Sequence, residues 1–155
     1  MAGFLTVDID WDPSEMRDHV TDMDDRADNF RPVFRRMREY FEENWGENFL
    51  TNGLRVGGWA PLDAEYAAWK SRNYPGQPPM VASGSLFASL RNLRGPGNEI
   101  DRKSATFGTK IKYAKFHQYG TTKMPKREVI YEPTDFRDEW GEKIARYIRD
   151  GADGI

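Results

Sequence analysis

The sequence predicts a single α+β domain over residues 1–150, with a small, mainly antiparallel sheet packed against long amphipathic helices, and a frayed tail over 151–155. Residues 4–11 alternate apolar and polar side chains, which is the period of a half-buried strand. Residues 33–45 carry apolar side chains at three- and four-residue spacing, and residues 136–148 repeat this helical pattern. A chain of 155 residues is long enough to bury one such core.

The first predicted helix begins at Asp12-Pro13-Ser14-Glu15, which supplies an N-cap, a proline at the first helical position and an acid in a capping-box arrangement. Its apolar stripe comprises Met16, Val20, Met23, Ala27 and Phe30. Pro32 lacks an N–H and its ring clashes with the preceding turn, so it either kinks this helix or divides it in two. The second part is expected to end at Gly46 or Gly53.

The middle of the chain predicts short elements between turns. Residues 61–72 have the spacing of a short helix, and residues 74–79 contain three prolines, which favours a turn or an exposed loop. Either Ser83 or Ser85 is placed to cap a helix that runs to Leu93.

The remaining elements are predicted from breaks and apolar runs. Residues 94–98 suit a hairpin tip or a mobile loop, and residues 100–111 suit one or two strands. A short helix is predicted over 113–119, ended by the glycine that follows, and a strand over 127–131. Thr134-Asp135 is expected to cap the last helix.

Composition excludes several kinds of site. The chain has no cysteine, so it has neither a disulfide nor a cysteine-based zinc site, and it has no phosphate-binding glycine motif; we expect no cofactor. The net charge of −2 argues against a general polyanion binder. No apolar stretch approaches the roughly twenty residues of a membrane span, and the start lacks the features of a signal peptide, so we expect a soluble chain without a membrane partner.

Charge is unevenly distributed along the chain. Residues 8–28 hold nine acids against two arginines, whereas residues 102–127 hold eight basic residues and no acid. The simpler interpretation is two solvated faces. The alternative is that the acidic segment of one subunit meets the basic segment of the next, a head-to-tail contact that can close a ring.

One ordered set of motifs gives the most specific signal. Residues 108–127 read G-T-K-I-K-Y-A-K-F-H-Q-Y-G-T-T-K-M-P-K-R, and upstream stand Trp59-x-Pro61-Leu62, Tyr66, Lys70 and Ser83-Gly84-x-Leu86-x-x-Ser89. The order G-T-x-x-x-Y-A-x-x-H-Q-x-G-T followed by P-x-R resembles the signature region of the phage virion morphogenesis (tail-completion) proteins. The resemblance spans residues 59–131 and departs from the family pattern at Met80-Val81 and Glu128-Val129.

The resemblance implies a structural role for its motif residues, in one cluster around residue 62 and one corner around residue 117. These residues are Trp59, Leu62, Tyr66, Gly84, Leu86, Gly108, Tyr113, His117, Tyr119, Gly120, Pro125 and Arg127. Long loops in compact domains often serve binding, so loops 73–82 and 94–99 are our candidates for partner contacts. Their candidate residues are Tyr74, Gln77, Arg94 and Asn98.

The function implied by the resemblance is assembly without chemical turnover. The protein would complete the tail or form part of the head–tail connector (neck) of a tailed bacteriophage. Its subunits would close into a homo-oligomeric ring, expected to be a hexamer, that contacts neighbouring neck and tail-tube proteins and lets genomic DNA pass through its lumen without specific binding. It would be found in the virion, after assembly in the cytoplasm of the host bacterium.

Two other functions compete with this interpretation. The basic segment 102–127 with its interleaved aromatic residues could grip a DNA backbone and stack on bases, although the spacing of those aromatics is typical of a buried helical face. A hydrolase could use His117 as a general base, but no serine, cysteine or carboxylate in its own segment is placed to pair with it, so we expect no enzyme and a structural histidine.

Overall fold

The computed structural model describes residues 13–155, and this part of the chain is mostly helical with one small antiparallel sheet. The strand predicted over residues 4–11 and the predicted N-cap Asp12 lie outside the described residues. The elements are α1 (Pro13–Ala27), α2 (Arg31–Leu50), α3 (Ala64–Asn73), α4 (Ser85–Arg91), β1 (Glu99–Ile100), β2 (Ala105–Thr106), α5 (Ala114–Tyr119) and α6 (Phe136–Asp150).

Pro32 divides the first helical region in two. It lies in the first turn of α2, where a missing N–H costs nothing, and Phe30 is the N-cap residue. The helix runs through the buried Gly46, whose lack of a side chain admits Arg91 of α4, and ends at Leu50. Gly53 follows with φ of +80°, so the second of the two predicted termini lies closer to the observed end.

Two hydrophobic clusters hold these helices together. The first joins α2, α4, α5 and the segment after it, and its buried members are Trp45, Phe49, Val81, Leu86, Leu90, Leu93, Ala114, Val129 and Tyr131. The second joins α2 to α6 through Val33, Trp140 and Tyr147. Residues 151–155, predicted to fray, contain a 3-10 turn over Ala152–Gly154 and place Ile155 against the second cluster.

The sheet is a two-stranded hairpin between residues 99 and 106. Glu99 pairs with Thr106 and Ile100 with Ala105 in antiparallel register. The hairpin tip is therefore at residues 101–104, so of the two alternatives predicted for residues 94–98 the hairpin tip is wrong, and the segment is a loop. Of the one or two strands predicted over 100–111, two short ones are present, and residues 107–111 form none.

Helix starts differ from the predicted side-chain caps. Neither Ser83 nor Ser85 is the N-cap of α4; Gly84 is, with φ of +81° and no side chain to cap with. Asp135 is the N-cap residue of α6, but its side chain accepts no hydrogen bond from the helix. Only α3 has a side-chain cap among the helices whose N-caps are described, where Asp63 accepts from the N–H groups of Glu65 and Tyr66.

The strand predicted over residues 127–131 is wrong, because side chains bond its backbone groups, and Gln118 forms three of these bonds. The Gln118 amide oxygen accepts the N–H groups of Val129 and Ile130, both at 3.0 Å, and its amide nitrogen donates to Ile130 O at 2.7 Å. Gln118 thus bonds the groups that a neighbouring strand would otherwise bond. The segment stays buried at Val129 without joining a sheet.

No helix in residues 13–155 is long and apolar enough to cross a membrane.

Candidate functional site

The structure brings most of the motif residues to one open cleft of about 610 Å³. The cleft lies between α3, α4, α5 and the segment 123–127. The motif residues that line it are Leu62, Tyr66, Gly84, Leu86, Tyr113, His117, Pro125 and Arg127, and Tyr74 from the first predicted contact loop joins them. Residues as far apart in sequence as Leu62 and Arg127 therefore share one surface.

The other motif residues lie beside the cleft. The Trp59 indole donates to Glu128 O at 2.9 Å and packs edge-on against Phe49. Gly108 donates its N–H to the Asn98 side chain at 2.7 Å. Gly120 ends α5, and Tyr119 just before it is 79% exposed.

Arg127 is a buried cation in the cleft wall, only 4% exposed. Its guanidinium donates to Ala60 O at 2.9 Å and to Pro61 O at 2.8 Å, and its backbone N–H donates to His117 O at 2.7 Å. No carboxylate pairs with it among the described residues. Burial lowers the pKa of the guanidinium, which nevertheless stays charged at neutral pH. Arg127 therefore fixes the loop before α3 to the end of the motif.

His117 lies half-buried between Tyr113 and Arg127. Its ring meets Tyr113 edge-on at 6.1 Å between centroids, and its Nδ1 is buried without a hydrogen-bond partner. Burial, and then the charge of Arg127, lower the pKa of His117. No hydrogen bond joins its ring to a serine or a carboxylate in residues 13–155, so the described geometry contains no paired general base.

We expect the free energy of unfolding to fall as the pH drops below 6.5, the ordinary pKa of histidine. The folded chain favours neutral His117, so this contribution is complete above 6.5 and is lost as the pH falls toward the lower pKa of the folded state. His117→Gln should flatten this slope in urea denaturation, whereas the same change at the exposed His19 should not. An NMR titration that gives His117 an ordinary or raised pKa would contradict the expectation.

The aromatic residues of the motif are exposed, which corrects the prediction that they form a buried face. Tyr113 and Phe116 are 43% and 45% exposed, and Ala114 is the buried residue of α5. The α5 helix is too short to bury a stripe of large side chains, and the Lys115 ammonium lies over the Phe116 ring at 5.2 Å. Together with Tyr119 they form an apolar surface next to the cleft.

The predicted contact loops are partly held by internal bonds. The ammonium of Lys70, which is only 4% exposed, donates to Gln77 O at 2.8 Å and so anchors the first loop. The Asn98 amide donates to Gly95 O and accepts from Gly108, so its side chain is already engaged. Arg94 is exposed and forms no ion pair within residues 13–155.

The roles of two residues, Gln118 and Lys70, were not predicted from the sequence. Both belong to the quoted motifs, but the carbonyl and amide groups that they bond are set by the tertiary fold. A pattern search could find the residue type at each position and not its partner.

No protein-family model, curated protein or solved structure matches this chain.

Proposed function

We propose that this chain is a structural morphogenesis protein of a tailed bacteriophage, which closes into a homo-oligomeric ring that completes the tail or forms part of the neck. The observation that carries the proposal is a pair of exposed apolar surfaces of opposite charge on one chain. The convergence of the motif residues on one cleft supports the same proposal, because the resemblance gives those residues a shared structural role.

The first of these, the acidic α1 surface, consists of Met16 and Val20 with the surrounding aspartates. Met16 and Val20 are 54% and 56% exposed and lie one turn apart, so no other residue in 13–155 covers the apolar stripe in the first half of this helix. The aspartates around them are exposed as well: Asp18, Asp22, Asp24 and Asp25. The end of the helix is tied to α6 by Arg26, which donates to the carbonyl groups of Ile148 and Arg149.

The second, the basic α5 surface, consists of Tyr113, Phe116 and Tyr119 with the exposed lysines around them. Those lysines are Lys112, Lys115, Lys123 and Lys126, and of these only Lys126 forms an ion pair in the described chain, with Glu128. The α5 helix belongs to the first hydrophobic cluster through Ala114, whereas α1 contacts α6. Two different surfaces that complement each other make a heterologous contact, which closes into a ring when the rotation allows it.

One short contact also joins the acidic and basic segments within a chain. Lys103 forms an ion pair with Asp28 at 2.5 Å, and this lowers the pKa of that carboxyl, while Phe30 donates its N–H to Arg102 O. The acids proposed for the subunit contact are therefore those nearer the start of α1.

A mixing experiment tests the head-to-tail arrangement. Met16→Asn/Val20→Asn and Phe116→Asn/Tyr119→Asn should each weaken self-association by about a hundredfold, because each removes the apolar area of two large side chains from one surface. Mixed together, the two variants should form one-to-one dimers, since each keeps the surface that the other lacks. Analytical ultracentrifugation and negative-stain microscopy of the wild type, expected to show rings, provide the measurement.

Leu54→Asn is the matched control, because Leu54 is 71% exposed on a different element and belongs to neither surface. If the α1 variant assembles like the wild type, the contact is not head-to-tail through α1. The phage role has its own test: silencing the gene in infected cells should yield full heads detached from tails with unfinished ends. Normal particles would contradict that role.

DNA binding by the basic segment remains the second candidate, and the exposure of its aromatics favours it. Side chains that are 43% to 79% exposed are accessible to stacking bases, which buried ones would not be. This function predicts an affinity for DNA that falls steeply with salt and is lost in Phe116→Asn/Tyr119→Asn. If the wild type does not bind DNA and Phe116→Asn/Tyr119→Asn still loses self-association, the basic α5 surface serves assembly and not DNA binding.

A further inference from the structure

A second cleft, of about 320 Å³, is lined by four arginines and lies away from the motif cleft. Arg31, Arg35 and Arg38 come from α2, and Arg94 comes from the segment that follows α4. Asn98 adds a side-chain amide to the same wall, and the apolar floor is Leu93 and Ile100. Among residues 13–155, no acidic residue lines this cleft.

The arginines converge because of their helical spacing. Positions 31, 35 and 38 are separated by four and three residues, which places them on one face of α2. Arg31 is also the first residue of this 20-residue helix, so the partial positive charge of the helix N-terminus adds to the guanidinium charges. The hairpin strand β1 packs nearby through Ile100 and brings Arg94 and Asn98 to the same place.

These charges are not neutralised within the described chain. None of the four arginines forms an ion pair in residues 13–155, and the Nε of Arg38 is buried without any hydrogen-bond partner. The carboxylate of Glu42, one turn after Arg38, accepts the Leu93 N–H at 2.7 Å and forms no ion pair with these arginines. Glu99, which is next to Asn98 in sequence, forms no ion pair either. Four like charges held together without counter-charges repel one another, so an anion that binds there would relieve the repulsion.

We propose that this cleft is a binding site for a phosphate group, either of a nucleic-acid backbone or of a small phosphate. A phosphate offers more acceptor oxygens than a carboxylate and carries up to two charges, so it can bond several guanidiniums at once. The planar fork of each arginine matches the spacing of its oxygens. The buried Nε of Arg38 supplies one donor that needs such an acceptor.

The test uses the full chain in calorimetric titrations at constant ionic strength. The titrants are inorganic phosphate, a short DNA duplex and a glutamate-rich peptide of equal charge. Arg35→Gln/Arg94→Gln removes two exposed guanidiniums of the cleft, and Arg36→Gln/Arg146→Gln removes two exposed arginines elsewhere; Arg36 forms an ion pair with Glu39. We expect the wild type and the control variant to bind phosphate alike. The cleft variant should bind about tenfold more weakly or worse.

Each outcome decides the proposal. If the cleft variant binds inorganic phosphate more weakly than the control variant does, the cleft is a small-phosphate site. If only the binding of the duplex is weakened, the cleft binds the nucleic-acid backbone. Equal binding by the two double variants, or no binding by the wild type, overturns the site. Preferential binding of the acidic peptide overturns the choice of phosphate. The α5 surface is intact in both variants, so the result is independent of the proposed ring contact.

Discussion

Replacing Gly120 with alanine is expected to lower the free energy of unfolding by about 3 kcal/mol or more, the largest effect among the motif glycines. Gly120 has φ of +74° and ψ of 178°, a region of backbone space that is essentially restricted to glycine. An added Cβ would lie 2.9 Å from the backbone nitrogen of Lys126 and 3.1 Å from Met124 O. Both are backbone atoms, so no side-chain rotation can relieve the contact. Urea denaturation measures the loss.

Two other motif glycines provide graded controls for this substitution. Gly108 has no positive φ and open space around its Cα, so Gly108→Ala should be nearly neutral. Gly84 has φ of +81° but nothing near an added Cβ, so Gly84→Ala should cost about 1 kcal/mol from the backbone alone. Equal losses at all three positions would show that the close approach at Gly120 is not what matters.

The Gly120 substitution should also change the wall of the motif cleft. The atoms that an added Cβ would displace belong to residues 124–126, and Met124 and Pro125 line the motif cleft. A variant that still folds should therefore show larger NMR chemical-shift changes in this wall of the cleft than in the second hydrophobic cluster.

Local periodicity explains what the sequence could predict. The α2 helix and its division from α1 followed from apolar spacing and from the missing N–H of Pro32, which are properties of adjacent residues. The buried face of α6 was predicted for the same reason, and Trp140 and Tyr147 are buried there. In such helices, the residues that set the structure are also the ones whose spacing reveals it.

Features that depend on distant partners could not be predicted in this way. The three- and four-residue spacing of Tyr113 and Phe116 is that of a packed face, but nothing covers that face in the described chain. The arginine cleft joins α2 to Arg94, more than fifty residues later, and each arginine alone is an ordinary surface residue. The resemblance implied two separate groups of motif residues, whereas members of both groups line the motif cleft.

The segment 127–131 shows the difference most clearly. Its apolar run is typical of a strand, and its backbone groups are bonded as a strand requires, but several of the donors are side chains. Two indole N–H groups take part: Trp45 donates to Tyr131 O at 2.8 Å, and Trp59 donates to Glu128 O. The pattern correctly indicated burial at Val129 and Tyr131, but the strand prediction is wrong, because side chains from other parts of the chain bond these backbone groups.

Replacing Gln118 with leucine should therefore be strongly destabilising, by about 3 kcal/mol, although it keeps a similar volume. It leaves the N–H groups of Val129 and Ile130 and the Ile130 carbonyl without partners in a segment where Val129 is fully buried. Each unsatisfied buried group costs about 1 to 3 kcal/mol. Gln77→Leu is the matched control, because the Gln77 side chain is exposed and its backbone carbonyl still binds Lys70. Similar urea midpoints for the two variants would refute the role of Gln118.

Replacing Gln118 with glutamate separates its acceptor role from its donor role. A carboxylate can still accept the two N–H groups, but it cannot donate to Ile130 O, so the loss should be smaller than with leucine. Protonation restores a donor to Ile130 O, and burial together with repulsion between the carboxylate and that carbonyl raises the pKa of this carboxyl above the ordinary value of about 4.3, outweighing the two accepted N–H bonds. The contribution of the protonated carboxyl to the free energy of unfolding is complete below the ordinary pKa, and it is lost as the pH rises through the raised pKa of the folded state. Stability of the glutamate variant relative to the leucine variant should consequently increase on acidification, and amide exchange at Val129 and Ile130 should slow with it. A pH-independent difference would mean that the bond to Ile130 O contributes nothing.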